Sequence, residues 1–500
     1  MRQILFAAVA ACALIASQAG AEAIGIFENH SDVGATAIPG KASFENGSYR
    51  LTASGTNIWG TVDAFHYAAS PVKGDTYIAA DIAFIGNGVD PHRKAGVMLR
   101  QSLDADSPYV DIMVHGDGLI SLQYRETRGG ETHQVIANQQ GAKRVALEYH
   151  DGYAWMSLSD AKGEVRHVGG GVRIALGQSY LAGLALSAHN NAVSETAVFS
   201  KVALEPLAPG VEGWPTPLTK AESTLEILSI GDMNRTIVFH TTDLIEAPNW
   251  SRDGATLLYN SKGHLFTLPV AGGAPAKLDA GALSKMNNDH GYSPDGKWIV
   301  VSDQTSPDNQ SRIHILPAAG GAPRLVTPEG PSYWHGWSPD GKTLAYIANR
   351  GGDYDVYTVP AAGGAEMRLT TAPGLDDGSE YTPDGQWIWF NSVRSGNMKL
   401  WRMRVDGSGA EQMTHEAGTR DWFPHPSPDG KWIAYIAFGT DVAVGDHPAN
   451  KDVTLMLMPA GGGAPVVLTK LFGGQGTINV PSWSPDGKRI AFVSYRPVAD

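Results

Sequence analysis

Three histidines stand just ahead of a recurring four-residue turn, each in a loop rich in groups that do chemistry. The loops read Asn287-Asn288-Asp289-His290-Gly291-Tyr292, Tyr333-Trp334-His335-Gly336-Trp337 and Asp421-Trp422-Phe423-Pro424-His425-Pro426. Two further loops at the same place in the repeat are Asp376-Asp377-Gly378-Ser379-Glu380-Tyr381 and Gly473-Gly474-Gln475-Gly476-Thr477-Ile478-Asn479. Neutral imidazoles joined by an amide or a carboxylate suit a divalent transition metal. His290, His335, His425 and Gln475 are therefore the candidate metal ligands, with Asp289 or Glu380 able to complete the shell. The metal expected is Mn, Zn or Ca. No local metal signature such as HExxH is present, so the set is assembled from distant positions.

The same loops supply candidate catalysts. His290 and His335 are positioned as proton acceptors, and Glu380 with Asp376 or Asp377 as an acid/base pair for hydrolysis. Arg350 and Arg394, in the strand-to-strand loops of the same face, can grip a carboxylate with two parallel hydrogen bonds. Trp334 and Trp422 can stack on sugar rings, and Asn479 and Lys451 complete the candidate substrate contacts. Lys451 and His447 belong to an insertion at 439–452. No nucleophile elbow, Walker loop or dinucleotide fingerprint occurs.

The elements that must position these residues follow from the turn itself. Ser293-Pro294-Asp295-Gly296 recurs as Ser251-Arg252-Asp253-Gly254, Ser338-Pro339-Asp340-Gly341, Thr382-Pro383-Asp384-Gly385, Ser427-Pro428-Asp429-Gly430 and Ser484-Pro485-Asp486-Gly487. Start-to-start spacings of 42, 45, 44, 45 and 57 residues are those of a β-propeller. The insertion at 439–452 accounts for the longest. Proline presets the first central φ, and glycine takes the left-handed conformation that follows. Thr224–Ile230 and Arg235–His240 read as two strands before the first turn. Ser482-Trp483 and Arg489–Ser494 read as two strands around the last. Two plus two makes one blade, so the expectation is six blades closed by pairing chain start with chain end.

Residues 23 to about 205 lack the turn. They alternate apolar and polar residues in short runs such as Tyr109-Val110-Asp111-Ile112-Met113-Val114, as an antiparallel β-sandwich does. Pro206 to Thr219, with four prolines, reads as a linker. Arg2, the apolar run Ile4 to Ser17 and Ala19-Gly20-Ala21 read as a secretory signal cleaved before Glu22, which removes the single cysteine, Cys12. Val9-Ala10-Ala11-Cys12 leaves a lipoprotein box as the rival reading. The expected domains are a signal at 1–21, a sandwich at 22–205, a linker at 206–221 and a propeller at 222–500. A formal net charge of −13 excludes a nucleic-acid partner, and no stretch after the signal is apolar enough to span a membrane.

The repeated turn, Asn349-Arg350-Gly351-Gly352-Asp353-Tyr354-Asp355-Val356-Tyr357 and Pro360-Ala361-Ala362-Gly363-Gly364 resemble the TolB-like propeller family. Gly25-Ile26-Phe27-Glu28, Ala95-Gly96-Val97-Met98-Leu99-Arg100 and His115-Gly116-Asp117-Gly118-Leu119-Ile120 resemble a concanavalin-like jelly roll. That second resemblance implies glycan binding, with Trp59, His92, Arg100, His115, Gln123 and Arg125 as contacts. TolB itself carries an α/β domain ahead of its propeller. A sandwich takes that place here, so the Tol–Pal role does not carry over. The His/Gln set also looks like the three-His-plus-Gln manganese site of oligogalacturonate lyases, which implies β-elimination on a uronic acid. The expected function is an exported (periplasmic or secreted) propeller that binds and processes an oligosaccharide or polysaccharide. The alternative is a non-catalytic propeller that docks a glycan or an envelope protein.

Overall fold

The computed structural model describes residues 23–207 and 221–498; the segment read above as a signal and most of the stretch read as a linker lie outside them. The described residues are all-β, and they include no helix long and apolar enough to cross a membrane. Residues before the linker form two sheets packed face to face. One carries the strands Phe65–Lys73, Ser179–Ser187, Lys94–Arg100, Tyr109–His115 and Ile120–Arg125, among others. The other is built around Thr76–Ile85, Arg144–His150 and Glu195–Pro206. Val97, Leu99, Ile112 and Leu122 of the first sheet share one buried core with Leu51, Ile78, Val145 and Leu147 of the second.

The second half holds five separate four-stranded antiparallel sheets, each a propeller blade. The blades open on Glu246–Trp250, Met286–Tyr292, Ser332–Trp337, Asp376–Tyr381 and Arg420–Pro426, and the last four of these strands carry candidate loops. The repeat predicts six blades, one of them closed by pairing chain start with chain end, and the structure corrects the number to five. The strands Ala221–Ser229 and Arg489–Pro497 do pair, antiparallel, from Ala221↔Pro497 to Ser229↔Arg489. Their sheet adds Arg235–Thr241 and then runs on, through a parallel pairing with His133–Ile136, into the first sheet of the sandwich. The edge that a free sixth blade would expose is used to join the two halves.

All six turns are built alike. The Ser or Thr hydroxyl donates to the Asp carboxylate at 2.5–2.7 Å, as from Ser293 to Asp295 at 2.6 Å. The Ser293 hydroxyl also accepts the Trp298 N–H at 3.0 Å, while the Asp295 carboxylate accepts the Lys297 N–H at 3.1 Å. Gly296 takes φ +70°, a value at which any side chain would be strained. The turn thus satisfies its own polar groups and fixes where the next strand begins.

Candidate functional site

The five opening strands are not regular. Each contains a β-bulge a few residues before its turn, between Glu246 and Asn249, Met286 and His290, Trp334 and Gly336, Asp377 and Glu380, and Trp422 and His425. Bulges re-aim side chains, and here they decide which candidates face the funnel.

A cavity of about 600 Å³ opens at that end of the ring. His335 and Asp377 face each other across it, Nε2 to Oδ1 at 2.9 Å. Burial pushes the His335 ring toward its neutral form, but the Asp377 charge and hydrogen bond outweigh it and raise its pKa. Burial likewise opposes ionisation of Asp377, and the positive His335 reverses that, holding Asp377 below the usual carboxylate range. Asp289 lies in the same wall. Burial and the Asp377 charge push it up to about 6, against the attraction of His335. Gln475 and Asn479 line the cavity, in agreement with their place in the repeat. His447, from the 439–452 insertion, packs edge-on against Trp422, with ring centroids 4.4 Å apart, and closes one side.

The remaining candidates are elsewhere. His290 is fully buried and lines no part of the cavity. The reason is the length of its bulge. In that blade Asn287, Asn288 and Asp289 stand opposite Ser302 alone, so two residues are extra. In the next blade only one residue is extra, and it is His335 itself. Equal offsets from the turn therefore do not place the two rings alike. Burial lowers the pKa of His290 to about 4 and keeps it neutral.

His425 and Glu380 are hydrogen-bonded to each other, Nδ1 to Oε2 at 2.7 Å, and the other His425 nitrogen meets the Ile478 carbonyl. Glu380 faces a second opening, among Pro294, Pro339, Pro383 and Pro428 of the turns. The expected ligands His290, His335, His425 and Gln475 are thus not gathered around one point. Among the described residues, the group whose ligand atoms do come together is Asp75, His150 and Asp151, in the sandwich.

Trp334 and Trp422 are 0% exposed and pack between strands, which removes them as sugar platforms. Arg350 is held by Glu366 at 2.9 and 3.0 Å, and Arg394 by Asp376 at 2.7 Å. Lys451 pairs with Asp441 at 3.1 Å on the insertion. None of the three lines the cavity, whose described lining contains no lysine or arginine. The His335 cation on that lining is already paired with Asp377, so it offers no free clamp to a uronate carboxylate. In the sandwich, Arg100 and Arg125 are buried and both donate to Asp63 at 2.7 Å, so these two are structural rather than glycan contacts.

The TolB beta propeller domain family (PD40) matches residues 334–461. An uncharacterized protein of Agrobacterium fabrum is 49% identical over 277 residues, 55% of this chain and 93% of that protein. A solved TolB-type structure from Agrobacterium tumefaciens shares 48% identity with a TM-score of 0.54, covering 56% of this chain and 99% of that one. The chain belongs to the TolB-like β-propeller family. A Tol-Pal system TolB of Francisella tularensis subsp. holarctica is 29% identical over 99 residues, 19% of this chain and 22% of that protein.

In this TolB-like propeller, Tyr333, Tyr354, Phe423, Asn287 and Gln304 also line the cavity; Asn287, Tyr333 and Phe423 sit in the candidate loops with no role assigned to them there, and Gln304 and Tyr354 lie outside those loops. Gln304 directly follows the second strand of its blade and Tyr354 opens the third strand of the next, so both border the type of loop that carries Arg350 and Arg394. That shared position is the signal that could have found them.

Proposed function

We propose that this TolB-like protein is exported and that its funnel cavity binds and cleaves a neutral, hydroxyl-rich glycan. We read 1–21 as its signal, 22–205 as a concanavalin-like sandwich, 206–221 as a linker and 222–500 as the propeller.

The observation that carries the proposal is geometric: two buried carboxyl groups, Asp289 and Asp377, stand in the wall of one cavity, and one of them is paired with His335. Asp289 is pushed up to about 6 and Asp377 is held low. Such a split assigns Asp289 as the acid that protonates the leaving glycosidic oxygen and Asp377 as the base that takes a proton from the water attacking the anomeric carbon. His335 holds Asp377 in place through the 2.9 Å contact. Amide groups of Gln475 and Asn479 suit hydroxyls, and the partly exposed Tyr333 and Tyr354 offer ring faces. With no clamp for an anion, a neutral sugar fits better than a uronate.

The test is release of reducing ends from a panel of neutral oligosaccharides. Asp289→Asn and Asp377→Asn should each lower kcat about 100-fold or more. Activity should fall as pH rises through about 6, where Asp289 loses its proton. It should also fall in acid below the ordinary carboxylate range, where Asp377 gains one. Cleavage that is unchanged in both variants rejects the assignment. The match to a Tol-Pal system protein favours a second reading, a protein partner at the same mouth. Capture of an envelope protein that a neutral oligosaccharide does not displace, with no cleavage, would establish that reading instead.

A further inference from the structure

Three histidines meet at one end of the sandwich, remote in sequence from the funnel. Across adjacent strands Ser187 pairs with Lys94, and Lys94 with His115. His92 lies two residues before Lys94 and His189 two residues after Ser187, so the register brings all three to the same sheet end. The His92 ring centroid is 6.2 Å from that of His115 and 5.6 Å from that of His189.

His115 is 5% exposed, and neither of its nitrogens has a hydrogen-bond partner. Nδ1 of His189 is buried and unpartnered as well. Buried polar atoms normally find partners, so orphaned imidazole nitrogens on neighbouring rings ask for something that accepts several at once. Burial keeps His115 neutral, with its pKa lowered to about 3. Lys94, the nearest cation, turns its ammonium to the Ile58 carbonyl at 2.9 Å. Asp117 stands 3.9 Å from His92 and can serve as a fourth donor.

We propose that His92, His115 and His189 form a binding site for a divalent transition metal of the zinc class. Imidazoles bound through nitrogen at about 2.0–2.1 Å to a tetrahedral ion place their centroids about 5 Å apart. The two His92 separations, 6.2 and 5.6 Å, exceed this, so the ligand atoms do not converge as the rings stand; His92, with a side chain 54% exposed, must swing inward to close the site. The Asp75–His150–Asp151 group is tighter but already satisfied within itself, since His150 contacts Asp75 at 2.7 Å and Asp151 at 3.2 Å. The inference is independent of the proposed glycan reaction.

The experiment is a Co²⁺ titration of the untagged, chelator-stripped full chain, followed by visible absorption, with Zn²⁺ as competitor. One Co²⁺ per chain with four-coordinate d–d bands, displaced by Zn²⁺, is expected. His92→Ala, His115→Gln and His189→Ala should each weaken binding roughly 100-fold. His92 is exposed, so its variant keeps the test valid if His115→Gln does not fold. No binding at micromolar Co²⁺, or binding unchanged in His92→Ala, overturns the proposal. So does a loss of binding that His150→Ala alone produces.

Discussion

Glu246 shows how one residue carries a pH dependence into the whole chain. It opens the first blade, and burial together with the nearby Asp289 charge pushes its pKa up to about 7, against a hydrogen bond from Asn260. The unfolded chain releases this proton near the ordinary glutamate value. Between the two values the folded state holds more protons, so stability falls as pH rises and stays lower above about 7. Glu246→Gln keeps the neutral shape. It should match the wild type near pH 4 and exceed it at pH 8 by about 1–2 kcal/mol, as read from urea midpoints. At this scale the sequence is partly legible. His335, Asp377, Gln475 and Asn479 reach the cavity, because position near the axis follows from the repeat. Arg350 and Arg394 do not, because their charges are taken by Glu366 and Asp376, a pairing set by tertiary distance.

At the scale of the element, the turns are legible and the bulges are not. A Ser-Pro-Asp-Gly turn satisfies itself within six residues, so its residue types announce it. A bulge is a mismatch between two strands and leaves no fixed local signature. That is why spacing alone puts His290 in the funnel when it is buried beneath it, and why it misses the turn of His425 toward Glu380. The buried His425–Glu380 pair predicts a structural role. His425→Ala leaves a buried carboxyl without its partner and should cost about 3 kcal/mol in urea unfolding. Ligand binding at the opposite mouth should remain.

The molecule as a whole is more tightly joined than a linker between the halves suggests. Arg235 is buried, bonded twice to Glu226 at 2.8 Å and donating to the Gly171 carbonyl across the boundary. Arg496 reaches Glu148 at 3.2 Å, Lys470 reaches Glu126 at 2.5 Å, and Tyr153 donates to Asp452 at 2.6 Å. Trp155 shares a buried cluster with Leu225, Ile227 and Val493. Sequence periodicity defines each half but not this seam, because the contacts join residues far apart in the chain. Calorimetry of the full chain should show one transition. Gly169, at φ +89°, would bring an added Cβ within 2.0 Å of Thr224. Gly169→Val should therefore lower Tm and split that transition in two.

The parallel pairing of His133–Ile136 with Arg235–Thr241 also bears on the order in which the chain is assembled. Ser494 bonds to Glu226 across 268 residues of sequence, a long loop to close. The sandwich is synthesised first and can hold Arg235–Thr241 and Ala221–Ser229 as a ready template. The last strand, Arg489–Pro497, then docks onto an edge already in place, and a chain cut short before it would leave that edge open to pair with a neighbour.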